Sequence, residues 1–390
     1  MPVISLRGID ERAALLPPVL LPLFDDSFVA SYDLFEEYVG RQACAILRRT
    51  GLEQAFEQDS TVPHAIAKAG LDAAVARVPS HWLAAMLTAR GCMQQVHAEG
   101  EARYRLVRPF AVPEAQEILE AQERHDASCL PAYAIAAMAA EQYPAVLRGE
   151  LTGEQALFGA EGIGAWVRYF SNANPLYAIS NRVGAIAAEE RFEEDGAILE
   201  LGGGLGSGAQ SLLERLQQSG RTVSRYRFTE LSALFMKRAE RVLARWGSEI
   251  GLEFAQLDID RPFGEAGIEP SGYALVYAVN VLHVAHDLEA TLREIRSALA
   301  PRGVLVISEC VRAFAGWPRS AELIFNLLKS FREPLLQPQW RPNGGFLTAE
   351  QWTLALQANG FSDVQVFPDI VAIRDFYPSF AVAAISAQRD

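Results

Sequence analysis

Hydrophobic and polar positions follow different patterns in the two parts of this chain. Up to about Asp195, apolar residues recur at three- and four-residue spacing, most clearly over 32–49 and 118–140, which predicts amphipathic helices. From Ala197 onward, short apolar runs alternate with amphipathic stretches, an order typical of a parallel sheet with crossover helices. The expected strands are 197–201, 225–229, 252–257, 273–278, 304–308, 362–367 and 380–386, the last one antiparallel.

The pattern therefore predicts an α/β fold with a seven-stranded, mostly parallel, Rossmann-like sheet behind a mainly helical N-terminal domain. Within the front part, helical stretches at 63–69 and 80–90 precede alternating residues at 93–97 and 102–107 around a turn at Gly100, which resembles a winged helix. We expect a front domain over 1–150 that dimerises or covers the substrate, a helical connector or lid over 151–195, and a ligand-binding domain over 196–390.

Charge and cysteine content narrow the function classes. Lysine and arginine number 35 against 48 aspartates and glutamates, giving a formal net charge of -13, which disfavours a nucleic acid partner. The four cysteines form no CxxC pair, so neither a zinc cluster nor a disulfide framework is indicated. Because the chain also lacks a signal-peptide pattern and a long apolar run, we expect a cytoplasmic protein without a membrane partner.

A glycine-rich turn directly follows the first predicted strand and opens a helix over 209–217. It contains Glu200 and then Gly202, Gly204 and Gly206 in alternate positions. Glycines at such a turn let the backbone approach a ligand closely, and a following helix N-terminus adds backbone donors. A nicotinamide enzyme is disfavoured because the acid here precedes the glycines.

Acidic residues stand at the ends of the next two predicted strands. Glu230 is suited to hold two ribose hydroxyls through its paired carboxylate oxygens, although a helix-capping role is the simpler alternative. Asp258 ends the third strand and is suited to accept a hydrogen bond from an adenine amine while Ile259 packs on the ring. Together with the glycine turn, these positions predict a nucleoside-containing ligand.

A histidine and a glutamate follow the fourth and fifth strands, at the sheet edge where open parallel sheets place catalytic groups. His283, which follows Asn280, can act as a general base, and Glu309 on its far side would fix its tautomer. A packed histidine and a helix-capping glutamate are the structural alternatives. His283 and His286 are three residues apart, but no third ligand is evident in the adjacent sequence, so no metal is expected.

In this combination the motifs resemble those of class I S-adenosylmethionine (SAM)-dependent methyltransferases over roughly 197–390. The resemblance implies SAM as methyl donor, S-adenosylhomocysteine (SAH) as product, and a SAM-binding methyltransferase domain over 196–390. The cofactor-binding residues that it implies are Glu200, Gly202, Gly204, Gly206, Glu230, Leu231, Asp258, Ile259 and Asn280.

Several of the same segments resemble the C-methyltransferase domains of polyketide synthases more specifically. That resemblance implies a catalytic dyad of His283 and Glu309, acting on an acidic carbon of a small-molecule or carrier-bound acyl substrate. The upstream segment is similar to the lid region of those domains, which implies that Tyr169, Asn172, Tyr177 and Asn181 line the substrate or the methionine end of SAM.

The residues leave carbon and oxygen methylation open. Small-molecule O-methyltransferases are similar in having a comparable front domain, through which they dimerise, and a histidine and glutamate after strands four and five. A SAM-binding protein without methyl transfer, either a regulator or a cyclase, is a further alternative. We expect the stretch 313–332 to be largely helical beside the substrate, 340–345 to form a bend, and Arg312 and Arg341 to lie at the surface.

Overall fold

The computed structural model describes residues 9–98, 101–159, 162–193 and 195–390. They fold into two compact units. The sheet unit comprises the described residues within Met1–Phe24, Phe170–Ala315 and Glu333–Asp390, and the helical unit comprises those within Asp25–Tyr169 and Gly316–Arg332. The three-part division expected from the sequence, with boundaries near residues 150 and 195, stays a prediction.

The α-helices of the described residues differ in length, and capping side chains mark the ends of several of them. In chain order they are α1 (Ile9–Leu15), α2 (Asp26–Arg49), α3 (Leu52–Ala55), α4 (Val62–Lys68), α5 (Ala73–Ala89), α6 (Gln116–His125), α7 (Leu130–Leu147), α8 (Gly153–Phe158), α9 (Gly162–Tyr169), α10 (Pro175–Arg191), α11 (Ser207–Gln218), α12 (Ala233–Leu243), α13 (Leu288–Ala298), α14 (Glu322–Phe325), α15 (Lys329–Arg332), α16 (Ala349–Ala358) and α17 (Ile370–Arg374).

The helical unit contains an antiparallel hairpin of β1 (Met93–Ala98) and β2 (Glu101–Leu106) after α4 and α5. The helices and the hairpin expected for a winged helix are therefore present, whereas the turn predicted at Gly100 lies outside the described residues. The helical pattern over 118–140 is divided between α6 and α7. The division occurs at Asp126, whose carboxylate accepts hydrogen bonds from the amide and hydroxyl of Ser128 and so competes with helical hydrogen bonding.

The sheet unit is built on seven strands, β3 (Ala197–Leu201), β4 (Arg225–Glu230), β5 (Gly251–Gln256), β6 (Tyr273–Val279), β7 (Leu299–Cys310), β8 (Phe361–Phe367) and β9 (Val382–Arg389). Their order is β5-β4-β3-β6-β7-β9-β8. β3 to β7 are parallel, and β9 runs antiparallel to both of its neighbours. The predicted Rossmann-like, mostly parallel sheet is thus confirmed.

Helix α10 lies against the middle of this sheet because it carries a glycine at the contact. A Cβ on Gly184 would lie 2.7 Å from Cβ of Ser308 and 2.8 Å from the hydroxyl oxygen of Tyr277. The hydroxyl of Ser308 donates a hydrogen bond to the carbonyl of Ser180, at 2.7 Å. The close approach brings α10 to the carboxyl ends of the strands, where ligands bind in open parallel sheets.

The stretch 313–332 is not largely helical, contrary to expectation. Only the short helices α14 and α15 form there, and Gly316–Arg332 belongs to the helical unit. Gly316 adopts a left-handed φ of +76°, and Pro318 follows two residues later, so a single helix cannot run continuously through this part of the segment. Buried polar groups fix the segment instead: the Glu322 carboxylate accepts the Arg319 amide, at 2.8 Å, and the Arg319 guanidinium donates to the hydroxyl of Tyr32, at 2.6 Å.

Candidate active site

The loop between β3 and α11 has the backbone geometry that its glycines predict. Gly202, Gly204 and Gly206 have φ values of +57°, +58° and +86°, a region that residues with a side chain rarely adopt. A Cβ on Gly204 would meet no atom within 4 Å, so open space lies beside the loop at this point. The glycine turn therefore presents its backbone to an uncovered position at the N-terminus of α11.

Glu230 fixes this loop from the end of β4. Its Oε2 accepts a hydrogen bond from the amide of Gly204 at 2.9 Å, and its Oε1 accepts one from Ser232 at 2.8 Å. Burial raises the pKa of Glu230, although these backbone donors act in the opposite direction. The N-cap of α12 is Ser232, which accepts the amide of Phe235, so Glu230 is not the capping residue of that helix.

Glu200, the last residue but one of β3, is buried beneath the loop. Its Oε2 accepts a hydrogen bond from the hydroxyl of Tyr226 at 3.0 Å, and the Ala209 backbone in the first turn of α11 is a second partner. Burial, with a smaller contribution from the Glu230 charge, raises the pKa of Glu200 to about 8. A cation bound nearby would favour ionisation of this carboxyl.

The structure brings Asn172 and Asn181 together beside the same helix N-terminus. The amide nitrogen of Asn172 donates to the carbonyl of Ser207 at 2.9 Å, and that of Asn181 donates to Oδ1 of Asn172 at 2.8 Å. Oδ1 of Asn181 is buried and has no donor among the described residues. A Cβ built on Gly208 would lie 3.7 Å from this Asn181 oxygen and 3.0 Å from Oε1 of Glu200. The two oxygens therefore face the same glycine of α11.

The two predicted lid tyrosines lie in different units. Tyr177 is half-buried near the start of α10 and packs edge-on against Phe170, whose carbonyl accepts the hydroxyl of Ser207 at 2.5 Å. Tyr169 ends α9 in the helical unit and packs edge-on against Trp166. Their contact with substrate or cofactor stays a prediction.

The remaining residues predicted to surround an adenosine occupy the ends of β4 and β5. Leu231 is 57% exposed immediately after Glu230. Asp258 and Ile259 follow β5 and are partly exposed, and Oδ1 of Asp258 accepts the amide of Asp260 at 3.0 Å. An exposed leucine and a partly exposed carboxylate at this edge are available to a ligand.

His283 and Glu309 meet in the sheet unit. Nδ1 of the histidine lies 2.6 Å from Oε2 of the glutamate, and the two side chains are 3% and 0% exposed. Oε1 of Glu309 accepts hydrogen bonds from the amides of Leu282, at 2.9 Å, and Val281, at 3.2 Å. The carboxylate is therefore held by the loop that carries the histidine and does not cap a helix.

Asn280 joins the ends of β6 and β7, which is why this pair can form. Its φ of +53° lies in the left-handed region, which asparagine tolerates better than most residues. Its amide donates to the carbonyl of Ser308 and its Oδ1 accepts the amide of Cys310, both at 2.8 Å. The chain therefore turns sharply after β6 and places the following loop beside Glu309.

Two residues that contact this loop were missed by the sequence analysis. Arg341, expected at the surface, is fully buried and donates to the carbonyls of His283 and Ala285, both at 2.7 Å. The ring of Phe346 packs on the His283 imidazole with centroids 4.7 Å apart. Arg341 lies in a stretch with a proline and two glycines, which gives no periodic signal of burial. Only the tertiary fold therefore reveals that Arg341 contacts the His283 loop.

His286 is exposed and does not join His283 in a ligand cluster. Its amide donates to Oδ1 of Asp260 at 2.8 Å. Across the parts of the chain that the structure describes, no group of three or more histidine, cysteine, aspartate or glutamate side chains is arranged to hold a metal ion. None of the helices in these described parts combines the length and apolar character needed to cross a bilayer.

The comparisons with known proteins agree with this geometry. Residues 199–305 match a family model described as a methyltransferase domain. The fold and this match define the class as SAM-dependent methyltransferases, and the chain contains such a domain with SAM as its cofactor. This match spans β3 through most of β7, and so includes the glycine loop, Glu230 and the His283 loop.

Within this class, the chain is similar to the methyltransferase regions of polyketide synthases. It is 27% identical over 256 residues, 64% of its length, to highly reducing polyketide synthase 2 of Gibberella zeae, of which it spans only 10%. The carbon methyltransferase of CurJ shares its fold with a TM-score of 0.73 at 21% identity, covering 99% of both chains. The trans-methyltransferase CalH, solved in complex with SAH, has a TM-score of 0.58 at 21% identity, covering 92% of both.

Two structural observations show that the residues at the sheet edge are compatible with bound SAM. The open position beside Gly204 leaves room for a ligand against the loop backbone. The buried Oδ1 of Asn181 is an acceptor without a donor in the described chain, and buried polar atoms are normally satisfied. An ammonium group, such as the one SAM carries, would satisfy it and would lie close to the Glu200 carboxyl.

Proposed function

We propose that this chain transfers the methyl group of SAM to an acidic carbon of a β-keto or similarly activated acyl substrate. His283 acts as the general base and Glu309 holds it in the reactive orientation. The observation that carries the proposal is the 2.6 Å contact between Nδ1 of His283 and Oε2 of Glu309. It lies in the same unit and at the same sheet edge as the glycine loop.

The contact determines which imidazole nitrogen is basic. A carboxylate only accepts hydrogen bonds, so Nδ1 carries the proton and Nε2 has the lone pair. Glu309 cannot rotate away, because its other oxygen accepts the amides of Val281 and Leu282. The carboxylate also stabilises the imidazolium that forms when Nε2 takes a proton.

SAM, when bound, supplies an electrophilic methyl group on a sulfonium. Nε2 of His283 removes the proton from the carbon between two carbonyls, and the C–H bonding electrons remain on the substrate as an enolate. SAM would supply its methyl group to the enolate carbon, and the electrons of the methyl–sulfur bond would remain on sulfur in SAH. Glu200, Glu230 and Asn181 hold the donor, and their role is binding.

The preference for carbon over oxygen is supported by similarity to the polyketide synthases and to the fold of the CurJ carbon methyltransferase. The acidity of a carbon between two carbonyls is comparable to that of a phenol, so the dyad could serve either atom. An acyl group bound as a thioester, either to a small pantetheine-like thiol or to a carrier, is the substrate class that this similarity favours.

The decisive experiment supplies SAM with a ¹³C-labelled methyl group, together with β-keto thioesters in one reaction and phenols in another. We expect label on the α-carbon of the thioester, located by NMR, and none in the phenol. Label on oxygen would replace the proposal with O-methylation. Product without added methyl mass would indicate a cyclase, and salt-sensitive binding of random DNA without turnover would indicate a regulator.

A further inference from the structure

A buried arginine donates hydrogen bonds to the backbone of the loop that carries His283. Arg341 is 0% exposed, and its guanidinium directs two nitrogens at two carbonyls of one short segment. Nη2 donates to the carbonyl of His283 and Nη1 to the carbonyl of Ala285, each at 2.7 Å. A planar fork of donors fixes the distance between two acceptors and their orientation, which one flexible donor cannot do.

Hydrogen bonds restrain the loop at both ends as well. Its first two amides, at Val281 and Leu282, donate to Glu309. At the other end, the amide of His286 donates to Asp260 and its carbonyl accepts the amide of Leu335, at 2.7 Å. The two carbonyls held by the arginine lie between these restraints, one of them in His283 itself.

The position of the arginine depends on a turn that is distant in sequence. Gln337 and Arg341 exchange backbone hydrogen bonds, at 2.9 and 2.7 Å, which closes a tight turn. Five residues beyond Arg341, the ring of Phe346 packs on the His283 imidazole. The segment therefore contacts both the backbone of His283, through Arg341, and its imidazole ring, through Phe346.

A buried arginine is a costly way to satisfy two carbonyls. Taking a charge out of water is unfavourable unless an opposite charge compensates it, and a hydrophobic residue would avoid that cost. Among the described residues, no carboxylate forms an ion pair with Arg341 within 4.0 Å, although Asp260, Asp287 and Glu309 act on it at longer range. Such a cost is accepted where the arrangement serves function.

We propose that Arg341 is a positioning residue for the general base: its guanidinium holds the His283 carbonyl so that the imidazole stays in contact with Glu309. The proposal rests on the proposed function, because it gives a role to a residue behind the base. The arginine touches no reacting atom. It acts only by fixing the backbone from which the imidazole extends.

The test compares Arg341→Met, Arg341→Lys and the control Arg374→Met in the full chain. Arg374 is a suitable match because it also donates to a backbone carbonyl of the sheet unit, that of Ala313, at 3.0 Å. We expect kcat to fall roughly 10- to 100-fold in Arg341→Met, since small displacements of a catalytic group have effects of this order. SAH affinity and the substrate KM should stay within about twofold, and the control should keep its kcat.

Arg341→Lys keeps the charge but places its donors on a single nitrogen instead of a planar fork, so its kcat should lie between those of the wild type and Arg341→Met. Thermal unfolding and SAH binding establish which variants are folded. A folded Arg341 variant with wild-type kcat would overturn the proposal. If Arg341→Met does not fold, the same kcat comparison is made with Arg341→Lys, and an unchanged kcat there overturns it as well.

A readout that needs no substrate separates this inference from the proposed function. In ¹⁵N-histidine-labelled protein, we expect the buried Nδ1 proton of His283, which faces Glu309, to exchange slowly enough to be observed, and Glu309→Gln assigns its signal among the six histidines. We expect the signal to be lost in Arg341→Met and retained in Arg374→Met. If the wild type transfers no methyl group, the proposed function fails. In that case the spectrum by itself still tests the role of Arg341, and a His283 signal that is unchanged in Arg341→Met refutes that role.

Discussion

Glu309 contacts the His283 side chain and the backbone that precedes it at the same time. Its Oε2 lies 2.6 Å from Nδ1 of the imidazole, and its Oε1 accepts the amides of Val281 and Leu282. One carboxylate thus fixes both the ring tautomer and the path of the loop. A change that alters only the group facing the imidazole should therefore affect proton removal more than cofactor binding.

The first prediction concerns Glu309→Gln. The glutamine oxygen can still accept the two loop amides, but its NH₂ group would face Nδ1 and donate to it, which moves the ring proton to Nε2. The base is then in the wrong tautomer, and we expect turnover to fall by roughly 10² to 10⁴, the range expected for the loss of a general base. Turnover of labelled SAM and calorimetric SAH affinity, which should be nearly unchanged, provide the check.

The matched control for this prediction is Glu240→Gln, a change of the same chemistry at an exposed position on α12. It should leave both measurements at wild-type values. Glu309→Gln with wild-type turnover would exclude the dyad as the base, even if the protein proves to be a methyltransferase.

The second prediction is a pH dependence of stability that originates at Glu200. Burial raises its pKa to about 8 from the ordinary value of 4.5, so the folded protein binds one more proton than the unfolded chain between these pH values. Stability therefore falls as pH rises through this window, by up to about 1.4 kcal/mol per pH unit. Glu200→Gln should flatten this slope, measured by denaturant unfolding from pH 5 to 8.

Glu230 contributes to the slope in the same direction, because burial raises its pKa as well, and that part remains in the Glu200 variant. The exposed Glu240→Gln change should leave the slope as in the wild type. An equal slope in Glu200→Gln and in the wild type would show that the buried carboxyl does not hold its proton.

The third prediction separates folding from cofactor binding within the glycine loop. Gly204→Ala introduces a methyl group into open space, so its cost to folding is the left-handed φ of +58°, about 1 to 2 kcal/mol. We expect the variant to fold and to bind SAH at least about tenfold more weakly. Gly220→Ala is the matched control, since Gly220 has a φ of +71°, equally open space and a position at the far end of α11.

Gly203→Ala should behave differently from both. Its Cβ would lie 2.2 Å from Cε2 of Phe228, inside the core, so the expected loss is of stability itself. Thermal unfolding and SAH calorimetry on the three variants check the series. Equal SAH affinity in Gly204→Ala and Gly220→Ala would show that the cofactor does not bind against the loop at Gly204.

The sheet and the acids at its edge were predictable because their signals are local. Each of the seven predicted strands corresponds to an observed one, since short apolar or alternating runs between helical stretches are a local signal. Glu200, Glu230 and Glu309 lie at strand ends, so strand prediction alone located them. His283 was found in the same way, because Asn280 directly follows β6 and begins the loop that carries the histidine.

The contacts made by Arg341 and Phe346 could not be predicted, because they depend on how a distant turn packs under the loop. Burial of an arginine depends on partners that the sequence does not reveal, here the carbonyls of His283 and Ala285. The break at Asp126 had a local cause, an aspartate followed two residues later by a serine, but the helical periodicity around it concealed the signal.

The last prediction tests Glu230 as the link between the glycine loop and the donor. Its two oxygens accept the amides of Gly204 and Ser232, and glutamine could accept only one of them. Glu230→Gln should therefore loosen the loop and also lose an acceptor for the ribose hydroxyls of SAM. We expect SAH to bind at least about tenfold more weakly, a change of about 1.4 kcal/mol, measured by calorimetry. Glu240→Gln should bind SAH as the wild type does, and an unchanged affinity in Glu230→Gln would place the ribose elsewhere.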